Sequence, residues 1–249
     1  MQEKLTKEKF LAIVQDKAKI VFCFDYDGTL VDLATQDILK EGKISQEAAD
    51  VINKLARYKE SNKVAIVTGR ALKNLKTMIN GRLDSEIMLY GTHGAELGIE
   101  SQDTQYAEDL ARIKQELELD PHVELEEKQI STTIHYLNHP SPEKLLEKLH
   151  AIAANYTDKF RIQRGRDFFE FLPKSINKGL AVTDLNNKFP DYYLIYFGDD
   201  LTDNYAFEVI NSLNGLSCQV SGRIKDKVAG YQIDMVRDLY DLIHSYLIA

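Results

Sequence analysis

The sequence predicts an α/β fold: a parallel sheet with crossover helices, interrupted by one inserted antiparallel lobe. Three observations lead there. Short apolar runs at 21–24, 64–67, 88–90 and 192–197 alternate with helical patterns, the rhythm of strand–helix–strand units in a parallel sheet. From about residue 104 the rhythm becomes helix, hairpin, helix, hairpin, an antiparallel α+β unit. At Asn177-Lys178-Gly179 the first rhythm returns. The expected organisation is a core domain of residues 1–101 and 176–249 around an αββαββ domain of residues 102–175.

Taken in order, residues 4–18 read as an amphipathic helix leading into the strand at 21–24. That strand is four apolar residues long, too short for an independent helix. Residues 45–59 form the next helix, with Ser45 as cap and Ala48, Val51, Ile52 and Leu55 at helical spacing. Strand 64–67 ends in Thr68-Gly69-Arg70 and leads to a helix over 71–80; strand 88–90 ends in Gly91-Thr92-His93-Gly94. The inserted lobe reads as a helix over 104–119, strands 123–128 and 131–137, a helix over 142–155, and strands 159–163 and 167–172 turned by Arg164-Gly165-Arg166. Phe168, Phe169 and Phe171 are expected in that lobe's core. A helix to about 187, the strand at 192–197, a helix over 203–213, short strands at 219–220 and 231–233, and a helix over 235–247 close the chain.

Composition narrows the function. The 249 residues are 44% hydrophobic and 28% charged, an ordinary globular balance. A net charge of −8 argues against nucleic acid or an anionic membrane as the main partner. No apolar run reaches the roughly 18 residues that span a bilayer. The charged start at Met1-Gln2-Glu3-Lys4 carries no apolar segment of a secretory signal, so a cytoplasmic location is expected. Cys23 and Cys218 lie in apolar or small-residue surroundings and read as buried, reduced thiols.

The chemistry concentrates where the apolar runs end. Strand 21–24 runs straight into Asp25 and Asp27, two carboxylates two residues apart that point to one side. Desolvated charge is expensive, so a cation is expected there. The other core strands end in Thr68, His93 and Asp199-Asp200, and ligands of open parallel sheets bind at the carboxyl ends of strands. Asp25, Asp27 and Asp199 make an oxygen-rich site for a hard cation, best Mg²⁺; no zinc-type Cys/His cluster is present. Thr68 offers a hydroxyl and Lys178 a point charge for phosphoryl oxygens. Gly28 lets the backbone turn so that its N–H groups face a phosphate. Phosphoryl transfer needs mainly such positioning and charge stabilisation. Taken singly, each of these residues has a plainer reading. Thr68-Gly69 makes a tight turn, Asp203 caps the helix behind it, and Glu124-Leu125-Glu126-Glu127-Lys128 is a solvated strand face.

Asp25-Tyr26-Asp27-Gly28-Thr29-Leu30 resembles the DxDGT signature of haloacid-dehalogenase-like phosphatases, and Thr68, Lys178 and Gly198-Asp199-Asp200 stand at that superfamily's other motif positions, in order. The insertion resembles a C2-type cap on a Rossmann-like core. Within the superfamily, Gly91-Thr92-His93-Gly94-Ala95-Glu96, Gly198-Asp199-Asp200-Leu201-Thr202-Asp203, Glu126-Glu127-Lys128 with His135-Tyr136, and residues 165–173 resemble trehalose-6-phosphate phosphatases. The chain departs from that pattern at Tyr26, Leu137 and Asn204-Tyr205. The resemblance implies an aspartyl-phosphate on Asp25, acid–base work by Asp27, Mg²⁺ held by Asp25, Asp27 and Asp199, and Asp200 and Asp203 behind those ligands. Thr68 and Lys178 would hold the phosphoryl group, Gly28, Gly69, Arg70 and His93 would face the substrate, and Glu126, Lys128 and Glu170 would bind sugar hydroxyls. Sucrose 6-phosphate, mannosyl-3-phosphoglycerate and other small phosphorylated metabolites are alternative substrates. A phosphate-responsive regulatory module, like a receiver domain, is the non-enzyme alternative. A functional link to a trehalose-6-phosphate synthase is implied as well.

Overall fold

The computed structural model describes residues 2–32, 42–96, 106–117, 120–128, 130–165, 168–220 and 228–249. The chain divides into two compact units, Met1–Gly98 with Asn177–Ala249, and Ile99–Ile176. The first unit begins with β1 (Glu3–Lys4), α1 (Lys7–Val14), β2 (Ile20–Phe24), α2 (Gln46–Tyr58), β3 (Lys63–Val67), α3 (Leu72–Ile79) and β4 (Met88–Tyr90). The second holds α4 (Ala107–Leu117), β5 (Glu124–Glu127), β6 (Thr132–His135), α5 (Pro142–Ala154), β7 (Phe160–Arg164) and β8 (Phe168–Pro173). The first unit resumes with α6 (Lys178–Lys188), β9 (Tyr193–Gly198), α7 (Asn204–Ser212), β10 (Leu216–Val220), β11 (Tyr231–Ile233) and α8 (Val236–Leu247).

Seven parallel strands make the first sheet, in the order β1-β11-β10-β9-β2-β3-β4. All five residues of β2 are buried, as expected of a strand covered on both faces. The period of two divides them. Ile20, Phe22 and Phe24 face a cluster with Phe10, Ile52, Leu55, Leu239, Ile243 and Tyr246. Val21 and Cys23 face Ala181, Val182, Leu185, Phe207 and Ile210. The sheet therefore lies between α1, α2, α3 and α8 on one side and α6 and α7 on the other. Each fully buried large side chain contributes roughly 1.5–3 kcal/mol. The chain leaves β2 towards β3 and β4 and later returns on the opposite flank at β9. That reversal makes the carboxyl ends of β2 and β9 a topological switch point, where parallel sheets open a crevice.

Two local differences from the sequence pattern have clear causes. The first helix is shorter than residues 4–18, because the Thr6 hydroxyl accepts from the Lys9 amide and caps it there. Ahead of it, Glu3 and Lys4 pair with Tyr231 and Gln232 as an edge strand. The strand expected at 219–220 begins at Leu216, where Ser217, Cys218 and Gln219 are buried against β9. Both cysteines sit on buried strands, unpaired, with their thiols pushed up by burial.

The second unit is a four-stranded antiparallel sheet, β5-β6-β8-β7, backed by two helices. Its two faces differ. Ile134, Phe160, Phe169 and Phe171 point towards Leu110, Ile113 and Leu117 of α4 and Leu145, Leu149 and Ile152 of α5. On the other face Glu126, Thr133 and Glu170 stand in direct cross-strand register, with Gln163 beside Glu170. Arg166 in the expected turn and Asp167 at the start of the expected strand lie outside the described residues, as do 104, 105, 118 and 119 at the ends of the expected helix.

Candidate active site

The register places Phe24 beside Phe197, and the Asp25 amide donates to the Phe197 carbonyl at 2.8 Å. Asp25 and Asp199 thus leave adjacent strands at the switch point. Both are buried, at 3% and 2% exposure. Gly28, one turn after Asp25, sits at φ +87°, and a Cβ there would fall onto the Asp199 carboxylate. Only glycine meets both demands: the left-handed backbone and the close approach.

Lys178 opens α6, immediately after the cap formed by the Asn177 side chain on the Gly179 amide, 2.9 Å. A helix N-terminus is a poor place for a cation, yet the ammonium is buried at 2% exposure. Its Nζ donates to Asp25 Oδ1 at 2.7 Å and to Asp203 Oδ1 at 2.8 Å. Burial opposes its charge, but Asp203, Asp25 and Asp200 outweigh burial and hold the ammonium well above its ordinary value. Asp203 is the centre of the arrangement. Its Oδ1 also accepts from Tyr196 Oη at 2.8 Å, and its Oδ2 accepts from the amides of Asp199 and Asp200, each at 3.0 Å. It also completes a capping box with Asp200. The expectation that Asp203 caps the helix after it does not hold: α7 starts with no side-chain cap bond from Asp203, because its carboxylate turns back to the Asp200 amide and to Lys178. Tyr196 was not singled out from sequence; a tyrosine inside an apolar central strand, needing a partner for its hydroxyl, was the available signal.

Burial pushes the Asp25 carboxyl well up, Lys178 pulls against it, and Asp203, Asp199 and Asp200 push with burial. Asp25 and Asp203 share the Lys178 ammonium, and Asp199 is buried with them. Oxygen atoms of the three lie within 4.8 Å of one another. An all-oxygen carboxylate donor set fits a hard divalent cation.

The other core residues follow the carboxyl ends of β2, β3, β4 and β9. Thr68 is buried, and its hydroxyl accepts from the Arg70 amide at 3.2 Å. Arg70 grips the Asp27 carboxylate with both prongs, Nε to Oδ2 at 2.6 Å and Nη2 to Oδ1 at 2.7 Å. Nothing in the local sequence, 43 residues apart, announces that pair. Thr92, His93 and Gly94 all have positive φ, and the His93 amide donates to the Thr68 carbonyl at 2.8 Å. A Cβ on Gly69 would come within 2.7 Å of the His93 ring, so the imidazole lies over that glycine. Asp200 accepts from the Thr202 amide at 2.7 Å.

Glu126, Lys128 and Glu170 belong to the second unit and come together on the polar face of its sheet. Lys128 Nζ and Ser131 Oγ both donate to Glu170 Oε1, at 2.9 and 2.8 Å. Lys128 and Glu170 are buried. Glu126 Oε2 lies 3.1 Å from His135 Nε2. Phe169 and Phe171 are core, whereas Phe168 stands half-buried on the polar face, its ring 6.5 Å from that of His135.

A parallel sheet carrying this acid–lysine group at its switch point defines a haloacid-dehalogenase-type phosphatase fold. The chain belongs to the trehalose-phosphatase family, whose model matches residues 23–232. It is 25% identical over 238 residues to the trehalose-6-phosphate phosphatase of Escherichia coli strain K12, covering 88% of this chain and 82% of that one. A probable trehalose-phosphate phosphatase of Sinorhizobium fredii is 30% identical over 225 residues, covering 86% and 82%. Among solved structures, the C-terminal domain of C. albicans trehalose-6-phosphate phosphatase superposes with a TM-score of 0.77 at 22% identity, over 99% of this chain and 98% of that one. The family implies a divalent metal and a sugar-phosphate substrate. No helix among the described residues is long and apolar enough to cross a membrane.

Proposed function

We propose that the protein hydrolyses trehalose 6-phosphate to trehalose and phosphate, with Mg²⁺ as its metal. The observation that carries this reading is the buried group of Asp25, Asp199, Asp203 and Lys178 at the carboxyl edge of the sheet, in a chain of the trehalose-phosphatase family. Asp25, Asp199 and the Asp27 carbonyl would hold the ion, with Asp200 and Asp203 supporting them. A bound Mg²⁺ supplies positive charge against the phosphoryl oxygens and the carboxylates.

The chain's own groups carry the steps. An Asp25 carboxylate oxygen attacks phosphorus, and the bond to the sugar oxygen breaks. Asp27 gives that oxygen its proton, leaving an aspartyl-phosphate on Asp25 and a carboxylate on Asp27. Asp27 then takes a proton from water as the water oxygen attacks phosphorus. Phosphate leaves, and Asp25 returns to carboxylate. In the structure Asp27 is bound by Arg70, so the first step requires Asp27 to let go of Arg70 and gain a proton. Thr68 and Lys178 orient the phosphoryl oxygens, with Gly28, Gly69, Arg70 and His93 on the substrate side. The unit of residues 177–249 with the first segment acts as the phosphatase core, and the second unit acts as the cap, where Glu126, Lys128 and Glu170 bind sugar hydroxyls. A cytoplasmic location and a functional link to the synthase that makes the substrate belong to the same reading.

The test is kcat/KM on an equal panel of trehalose 6-phosphate, sucrose 6-phosphate, mannosyl-3-phosphoglycerate and glucose 6-phosphate, after EDTA treatment and with Mg²⁺ restored. Trehalose 6-phosphate should rank first and activity should return with Mg²⁺. Another preferred ester would overturn the substrate. Full activity in Asp25→Asn would overturn the mechanism.

A further inference from the structure

The polar face of the second sheet holds more hydrogen-bonding capacity than its ion pairs consume. Glu126, Thr133 and Glu170 form one row across β5, β6 and β8. Directly opposed residues of antiparallel strands point to the same side, and His135, two residues on from Thr133, shares it. One oxygen of Glu126 is engaged by His135, and one oxygen of Glu170 by Lys128 and Ser131. Three atoms on this strip are buried without a hydrogen-bond partner: Glu126 Oε1, Thr133 Oγ1 and His135 Nδ1. Thr133 is 3% exposed. A hydroxyl or ring nitrogen buried in this way costs about 1–3 kcal/mol, so three on one strip call for a ligand.

We infer that Thr133 and His135 are specificity-determining residues, each hydrogen-bonding a sugar hydroxyl beside Glu126. This rests on the reading of the second unit as the sugar-binding part of a sugar-phosphate phosphatase. The chemistry of the strip is selective. A hydrogen on His135 Nε2, facing the Glu126 carboxylate, leaves Nδ1 a bare acceptor. Glu126 Oε1 is an acceptor as well, and the Thr133 hydroxyl both gives and takes. The strip therefore binds groups that donate, and neighbouring hydroxyls of a pyranose do so at each carbon. A hydroxyl-free leaving group leaves all three atoms unpaired, the kind of discrimination that polar sites achieve best.

The experiment compares trehalose 6-phosphate with p-nitrophenyl phosphate, whose leaving group carries no spare hydroxyl. The readout is the ratio of their kcat/KM values in wild type, Thr133→Val, Thr133→Ser and His135→Gln. Valine keeps the shape of threonine and removes the hydroxyl. Glutamine places its amide where Nε2 stands, keeping the Glu126 contact and deleting Nδ1. Thr133→Val and His135→Gln should each lower the ratio about 5- to 100-fold, one lost polar contact apiece, chiefly through KM for the sugar ester. Thr133→Ser should stay within about threefold of wild type, its hydroxyl retained. An unchanged ratio in Thr133→Val and His135→Gln overturns the inference. A parallel fall on both esters overturns it too, as that marks a structural role. A wild-type protein that prefers another sugar phosphate removes the trehalose reading alone; the ratio is then taken on that ester, and the same loss is required.

Discussion

Asp203 accepts four hydrogen bonds with no exposed surface, and that makes Asp203→Asn a quantitative test of how the site is built. The amide is the same size but keeps only one acceptor oxygen. If that oxygen stays towards Lys178 and Tyr196, the amide hydrogens confront the N–H groups of Asp199 and Asp200. If it flips, Lys178 and Tyr196 lose their acceptor. Either way two buried donors go unpaired, each at about 1–3 kcal/mol, and Lys178 loses one of its two anionic partners. Breaking a buried ion pair from one side costs about 3–5 kcal/mol, and the two estimates overlap. Against a total stability of roughly 5–15 kcal/mol for a domain, this is a large fraction. The assay is urea unfolding followed by far-UV circular dichroism, since the chain contains no tryptophan. The midpoint should fall with an unchanged slope. A loss below about 1 kcal/mol would mean that the four contacts are not held together in solution, and the picture of Asp203 as their common acceptor would be wrong.

Other outcomes follow from the same geometry. Tyr196→Phe removes one of the four donors and should cost about 1.5–3 kcal/mol, less than Asp203→Asn; equal losses would contradict the shared-acceptor arrangement. Gly28→Ala forces a side chain into a left-handed position at about 1–2 kcal/mol and onto the Asp199 carboxylate. Calorimetry should show weakened Mg²⁺ binding, and wild-type affinity would refute the close approach. Burial pushes the Glu126 carboxyl up, but the His135 hydrogen bond and the charge of Lys128 outweigh it and hold the carboxyl below its ordinary value. A lowered carboxyl contributes stability above about pH 4.3 that is lost as pH falls through the lowered value. The melting temperature of wild type should therefore exceed that of Glu126→Gln near neutrality, with the gap closing in acid; a constant gap would refute the pairing.

Most of the sheet could be read locally because its central strands are buried on both faces. Val21-Phe22-Cys23-Phe24 has no polar residue to mistake for a surface, and its break at Asp25 marks the edge of the sheet. Leu216–Val220 was harder, because Ser217 and Gln219 disguise a strand that pairing with β9 keeps buried. Glu3–Lys4 is two exposed residues held by β11 from the far end of the chain, and no local pattern carries that. In the site, residue types at strand ends pointed to the carboxylates and Lys178. Which partner each one takes is a tertiary matter. Asp27 meets Arg70, and Asp203 collects Lys178 and Tyr196, because strand order and helix packing bring them there. In the second unit Phe168 read as core together with Phe169 and Phe171, and the strand's period of two turns it to the polar face instead; the unpartnered atoms beside Glu126 emerge only once the register is known.

The two faces of the second sheet divide the work in a way that bears on how such a protein diversifies. Ile134, Phe169 and Phe171 answer to the two helices, so changes there are paid in stability. Thr133, His135, Glu126 and Glu170 alternate with them along the same strands and take no part in that apolar core. A substitution one position away thus meets a different selective pressure. On the proposed reading, substrate preference would change along one face without disturbing the core behind the other, and the phosphoryl chemistry would stay apart on its own unit.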